Sequence, residues 1–129
     1  MKDKKSDSLW TPHQRRSPNV NNFINRFLDA ACDDSRRAIL ELLIPPEGQD
    51  SPESYELRAG EIAEHIGLAR STTSEHLHQL LNLHLLNTRR EGNMIYYRLR
   101  NHHIIRAFHE LVTALETHYH TSGSTTAEA

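Results

Sequence analysis

Histidine is the residue this chain over-uses: ten copies in 129 residues, nine of them after residue 60. Imidazole ligates zinc and nickel, contacts phosphates, and changes charge near neutral pH, so its neighbours decide its chemistry. One group, His65, His76, His78 and His84, lies in and around a run of short polar residues: Ser71, Thr72, Ser74, Glu75 and Gln79, with Arg70 just ahead. Hydroxyls, amides and guanidinium groups of this kind hydrogen-bond to phosphates and base edges. Arg89, Arg90 and Asn93 follow a little later and suit phosphate or minor-groove contact. A second group gathers Asn101, His102, His103, His109, His118 and His120 with Glu110 and Glu116. Its imidazoles and carboxylates are the ligand types zinc and nickel take, and no other cofactor is indicated. There is no Gly-rich phosphate loop, no nucleophile with a matched base and no paired acids, so an enzyme is not expected.

The elements that must hold the first group can be read between Ala59 and Arg100. Ile62, Ala63 and Ile66 give a short helix one apolar face, and Gly67 supplies the permissive backbone of a tight turn. Thr73, Leu77, Leu80 and Leu81 recur at helical spacing and bury a second helix, whose opposite face is the Ser71–Gln79 polar set. A strand, a charged turn containing Gly92 and a second strand come next. That order is a helix-turn-helix followed by a hairpin wing, a device for placing a helix in a DNA major groove.

GEIAEHIGLARSTTSEHLHQL followed by LLNTRREGNMIYYRL resembles the core of the ArsR/SmtB winged-helix repressors, from about Asp33 to Leu115. Four positions depart from that pattern. Ala69 stands where the family often has a capping Ser, which would move the cap to Ser71; Thr73 replaces a usual Val; Glu75 occupies an often basic slot; Asn93 replaces a frequent Arg. The resemblance implies a dimeric repressor of an inverted-repeat operator, released by an effector. Zinc-sensing members carry an Asp and a His two apart at the start of the last helix, and a second ligand pair near its end. Asn101 and His103 fall on the first pair; Ala114 and Thr117 fall on the second and cannot ligate. Asn101 also has a plainer use as helix N-cap. A displaced metal site would draw on Glu116, His118 or His120. The Cys-x-Cys sensor of other members has no counterpart in GEIAEHIG.

Flanking segments complete the expected architecture: mainly α (α+β), order ααααββα. Residues 1–18 read as a disordered basic arm, 19–120 as the DNA-binding and dimerisation domain, and 121–129 as a disordered tail. Val20, Phe23, Ile24, Phe27, Leu28 and Ala31 mark an amphipathic first helix. Asp33 or Asp34 caps a second, with Ala38, Ile39, Leu42 and Leu43 as its core face, stopped near Ile44 by Pro45-Pro46. Residues 45–58 form an inserted polar loop, with a very short strand near Leu57 pairing with the wing. The last helix runs from about His102 to Tyr119, apolar at Ile104, Ile105, Phe108, Leu111, Val112 and Leu115. The first and last helices carry more apolar surface than a small core can cover. Phe23, Phe27, Ile105, Phe108, Val112 and Leu115 are therefore assigned to a homodimer interface.

The net charge of −2 hides a division. From Arg70 to Arg100, five arginines oppose Glu75 and Glu91, a local +3; from Pro45 to Glu64, six acids oppose Arg58, a local −5. Local charge governs phosphate affinity, so double-stranded DNA stays compatible with the near-neutral total. Cys32 is a lone cysteine, read as a small buried hydrophobe, and fits a reducing, cytoplasmic setting. No apolar run reaches transmembrane length, so no membrane association is expected. Two alternatives accompany this reading: a zinc- or nickel-responsive repressor acting through the last helix, and a winged-helix protein-interaction module docking through its acidic loop.

Overall fold

A computed structural model describes residues 9–48 and 55–123. The first helical turn, α1 (Pro12–Arg15), is closed by a capping box: the Thr11 hydroxyl accepts from the Gln14 N–H, and Gln14 Oε1 accepts from the Thr11 N–H. This turn lies in the segment expected to be a loose arm, and residues 1–8 lie outside the described residues. Ser17 caps α2 (Pro18–Ala31), with Pro18 in the first turn where its missing N–H costs nothing. Asp33 caps α3 (Asp34–Leu42) by accepting the Arg36 N–H at 2.9 Å. That hydrogen bond, with the Arg36 charge beside it, holds the Asp33 carboxyl below its ordinary range.

The inserted segment ends in β1 (Leu57–Arg58); residues 49–54 of it lie outside the described residues. Then come α4 (Ala59–Ile66), α5 (Arg70–Asn82), β2 (Leu86–Glu91), β3 (Met94–Leu99) and α6 (His102–His118). A wide turn over Tyr119–Gly123 extends α6 into the segment expected to be a tail. To the expected order, with its short strand near Leu57, the structure adds α1. The sheet is antiparallel in the order β1-β3-β2, with Leu57 opposite Tyr97 and Arg89 opposite Tyr96. The short strand expected near Leu57 therefore pairs with the wing. Among the described residues no helix is long and apolar enough to cross a membrane.

Ile39, Leu40, Leu43, Ile62, Leu77, Leu80 and Ile105 form the innermost core. Helical spacing alone put Ala38 and Leu42 on the core face of α3; both are only half-buried, while Leu40 is fully enclosed. The reason is that α3 packs against α2, α4, α5 and α6, so it buries a wider arc than one amphipathic stripe. Thr73 is 0% exposed, and its hydroxyl has no hydrogen-bond partner among the described residues.

Two further expectations need correction. Ile105, assigned to the dimer interface, is 1% exposed and belongs to the protomer's own core. Cys32, read as buried, is exposed at the C-cap of α2, because the chain turns there into the Asp33 cap. Phe27 and Phe108 meet edge-on within the protomer, ring centroids 5.5 Å apart. Val112 is half-buried, whereas Phe23 and Leu115 stay exposed beside Val20, Leu28, Ile104, Leu111 and Tyr119.

Candidate nucleic-acid interface

Gly67 ends α4 in the left-handed conformation (φ 80°), a backbone state glycine adopts without a Cβ clash. Leu68 and Ala69 then lead straight into α5. The N-cap of α5 is Ala69, with no side-chain cap, and Ser71 lies inside the first turn. The expected shift of the cap to Ser71 does not occur, because the turn geometry fixes where the helix begins. The unsatisfied N–H groups of that first turn, with the Ser71 and Thr72 hydroxyls, suit contact with an anion.

Ser71, Thr72, Ser74, Glu75, His78 and Gln79 are all exposed on the outer face of α5. Ser74, Glu75, His78 and Gln79 line one shallow depression along it. Arg70 folds back over Gly60: a Cβ at that glycine would lie 3.3 Å from Arg70 Nη2. Arg70 thereby sits in the groove between the start of α4 and the wing, where Asn93 and Met94 form the opposite wall. His76 departs from this face. It is half-buried, and its Nδ1 is enclosed without a partner among the described residues. His84 sits beyond the helix end with φ 60° and approaches Arg100 rather than the outer face.

The two arginines of β2 are not equivalent. Arg89 Nε and Nη2 donate to Glu56 Oε1, Nη1 donates to Glu91 at 2.6 Å, and the guanidinium lies 4.5 Å over the Tyr96 ring. Those two carboxylates push its pKa well above the ordinary arginine range. Arg90 points to the other side of the strand, is exposed, and its side chain has no hydrogen bond or ion pair among the described residues. Glu56, only 14% exposed, is the acid missing from a reading of the wing alone. Arg89→Ala is expected to lower the melting temperature, since it strands Glu56, yet to leave the salt dependence of DNA binding near the wild-type value. A calorimetric melt beside a salt titration checks both.

The second histidine group does not converge. Asn101 is the N-cap of α6, its Oδ1 accepting the His103 N–H at 3.0 Å. The His103 ring lies against His102, His109 pairs with Glu41 at 2.9 Å, and His118 and His120 are at the far end of the 17-residue helix. At about 1.5 Å per residue, more than 20 Å separates Asn101 and His103 from His118 and His120. Among the described residues no three His, Cys, Asp or Glu side chains gather as metal ligands.

A buried helix-turn-helix, an outward polar helix and an antiparallel hairpin beside it define the winged-helix class of DNA-binding proteins. Residues 53–88 match the bacterial regulatory protein arsR family. The transcriptional repressor SdpR of Bacillus subtilis (strain 168) is 36% identical over 76 residues, which cover 59% of this chain and 74% of SdpR. The HTH-type transcriptional regulator KmtR of Mycobacterium tuberculosis is 41% identical over 49 residues, 38% of each chain. Among solved structures, the homodimeric winged helix-turn-helix DNA-binding domain Mb0332 of Mycobacterium bovis superposes with a TM-score of 0.64. It is 26% identical and covers 81% of this chain and 88% of that one. HlyU of Vibrio cholerae gives a TM-score of 0.61 at 26% identity, over 74% of this chain and 97% of that one. The chain belongs to the arsR family of bacterial regulatory proteins.

Proposed function

We propose that this protein is a dimeric transcriptional repressor that binds an inverted-repeat DNA operator. It uses the outer face of α5 from Arg70 to Gln79, without His76, together with Arg90 and Asn93 of the wing. The observation that carries the reading is the juxtaposition of an exposed, hydroxyl- and amide-rich helix face with an unpaired wing arginine. Family membership and the repressor SdpR support the regulatory role. The exposed stripe of Val20, Phe23 and Leu28 on α2 and Ile104, Leu111 and Leu115 on α6 supports a two-fold dimer, and the Mb0332 domain is a homodimer. A dimer of this kind presents two α5 helices to half-sites about 34–36 Å apart.

The test is binding to operator DNA, recovered by selection with the purified protein, as a function of salt. Each phosphate neutralised adds about 0.9 to the slope of log K against log salt. Arg90→Ala is expected to weaken binding to all sequences alike and to reduce that slope by about one. Binding to no DNA, or an affinity unaffected by ionic strength, would overturn the proposal in favour of a protein-docking module.

A response to zinc or nickel would draw ligands from both protomers, since the described residues of one protomer do not gather them. Neutral Asn101 is already engaged as a helix cap. Adding either metal to the operator complex is accordingly expected to change its Kd by less than about tenfold, below the coupling of a strong allosteric effector. Operator competition with and without metal, on wild type and His103→Ala, measures this.

A further inference from the structure

We propose that Glu56, in the inserted segment just ahead of β1, stands in for a DNA phosphate and keeps Arg89 of the wing out of contact with DNA. The inference rests on the DNA-binding reading above. In the sheet order β1-β3-β2, Arg89 stands opposite Tyr96 of the middle strand, and Glu56 lies just before Leu57 on the far edge. The guanidinium reaches back over the Tyr96 ring, and its Nε and Nη2 both donate to Glu56 Oε1. Its Nη1 donates to Glu91 at 2.6 Å. Both donor edges and one face of the group are thus engaged. A phosphate is held through the same planar fork of N–H groups, so Arg89 reaches DNA only by giving up a carboxylate.

The two carboxylates are not equally easy to displace. The Glu91 side chain is 70% exposed at the end of β2, so water rehydrates it when a phosphate takes its place. The Glu56 side chain is 14% exposed, and its Oε2 is enclosed without a partner among the described residues. Pulling Arg89 away would leave that carboxylate enclosed and unpaired, a heavier loss than one salt-screened phosphate contact returns. Glu56 is therefore the lock on Arg89, and Glu91 an exchangeable neighbour. The acidic inserted segment thus acts as an intramolecular inhibitor that sets how many cations β2 offers to the DNA backbone.

The experiment measures affinity for a random-sequence duplex between about 50 and 200 mM salt. The proteins are wild type, Glu56→Gln, Glu91→Gln, Arg89→Ala and the double variant Glu56→Gln/Arg89→Ala, with a thermal melt of each. Glu56→Gln is expected to steepen the slope of log K against log salt by about 0.9, one phosphate, which widens the loss of affinity across that range by roughly 3.5-fold. Glu91→Gln removes the same charge from the same side of Arg89 but leaves the lock, so its slope should stay near wild type. In the Arg89→Ala background, Glu56→Gln should add nothing, because the cation it would release is gone. Glu56→Met fills the enclosed site without a polar atom and should steepen the slope alike, so a folding defect in the amide variant does not decide the matter. An unchanged slope in folded Glu56→Gln or Glu56→Met overturns the proposal. Equal steepening in Glu91→Gln, or steepening that persists without Arg89, overturns it too, since either would reflect general charge removal. A wild type whose affinity does not respond to salt would instead refute the DNA-binding reading, and this inference with it.

Discussion

Leu115→Asp should yield a folded monomer with operator affinity reduced at least a hundredfold. Leu115 is 58% exposed in the protomer, so a carboxylate there remains hydrated and the melting transition should move little. In a two-fold dimer the same carboxylate would be buried against apolar side chains of α2 and α6 without a cation, which costs several kcal/mol. Losing the dimer removes the second half-site as an intramolecular event, and effective-concentration gains of about 10²–10⁴ disappear with it. Sedimentation equilibrium reports the oligomer and anisotropy titration the affinity. A variant that stays dimeric would move the interface elsewhere. Phe108 and Ile105 are poorer probes of the same idea. One is engaged with Phe27 and the other lies in the core, so their substitution would unfold the protomer before it reported on association.

The second large effect is a gain. Thr73→Val is expected to stabilise the protein by about 1–2 kcal/mol, raising Tm by roughly 4–8 °C. The Thr73 hydroxyl is buried without a partner among the described residues, and its removal relieves the desolvation cost at nearly constant volume. Helix propensity does not oppose the change, because Thr and Val rank together. A fall in Tm by differential scanning calorimetry would mean that the hydroxyl bonds a carbonyl one turn back. DNA affinity should be unaltered, since Thr73 faces the core and not the outer surface of α5.

What the sequence makes legible, and what it conceals, follows from how local each feature is. The stripes of Ile62 and Ala63, and of Thr73, Leu77 and Leu80, are set by spacing within one helix, and all five residues are buried as expected. Gly67 and the hairpin turn are equally local. Ile105 and Leu115 look alike in sequence, yet one faces its own core and the other solvent, because periodicity reports an apolar face and not what covers it. Leu40 escaped for the opposite reason: α3 is surrounded, so burial spreads beyond its stripe. Arg89 and Arg90 are neighbours of one type, separated only by strand alternation and by Glu56, more than thirty residues upstream. The hydrogen bond from Arg36 Nη1 to Gln79 Oε1 is longer in range still, and no spacing rule links its two ends.

The pairing of Arg89 with Glu56 and Glu91 has a consequence for how such a protein would find its target on a chromosome. Counting arginines credits β2 with two cations, but Arg89 is paired with the protein's own acids. Binding to arbitrary sequence is almost wholly ionic, whereas operator binding adds contacts to base edges. A wing whose Arg89 is paired in this way therefore sacrifices mostly the sequence-independent part of the affinity. Around 10⁶–10⁹ competing sites act as a sink for any DNA-binding protein, and lowering the hold of each leaves more molecules free to reach the operator. Short residence on random DNA favours search by repeated dissociation and re-encounter over long sliding. An internal ion pair that contributes nothing to the operator contact would thus shape the kinetics of reaching it.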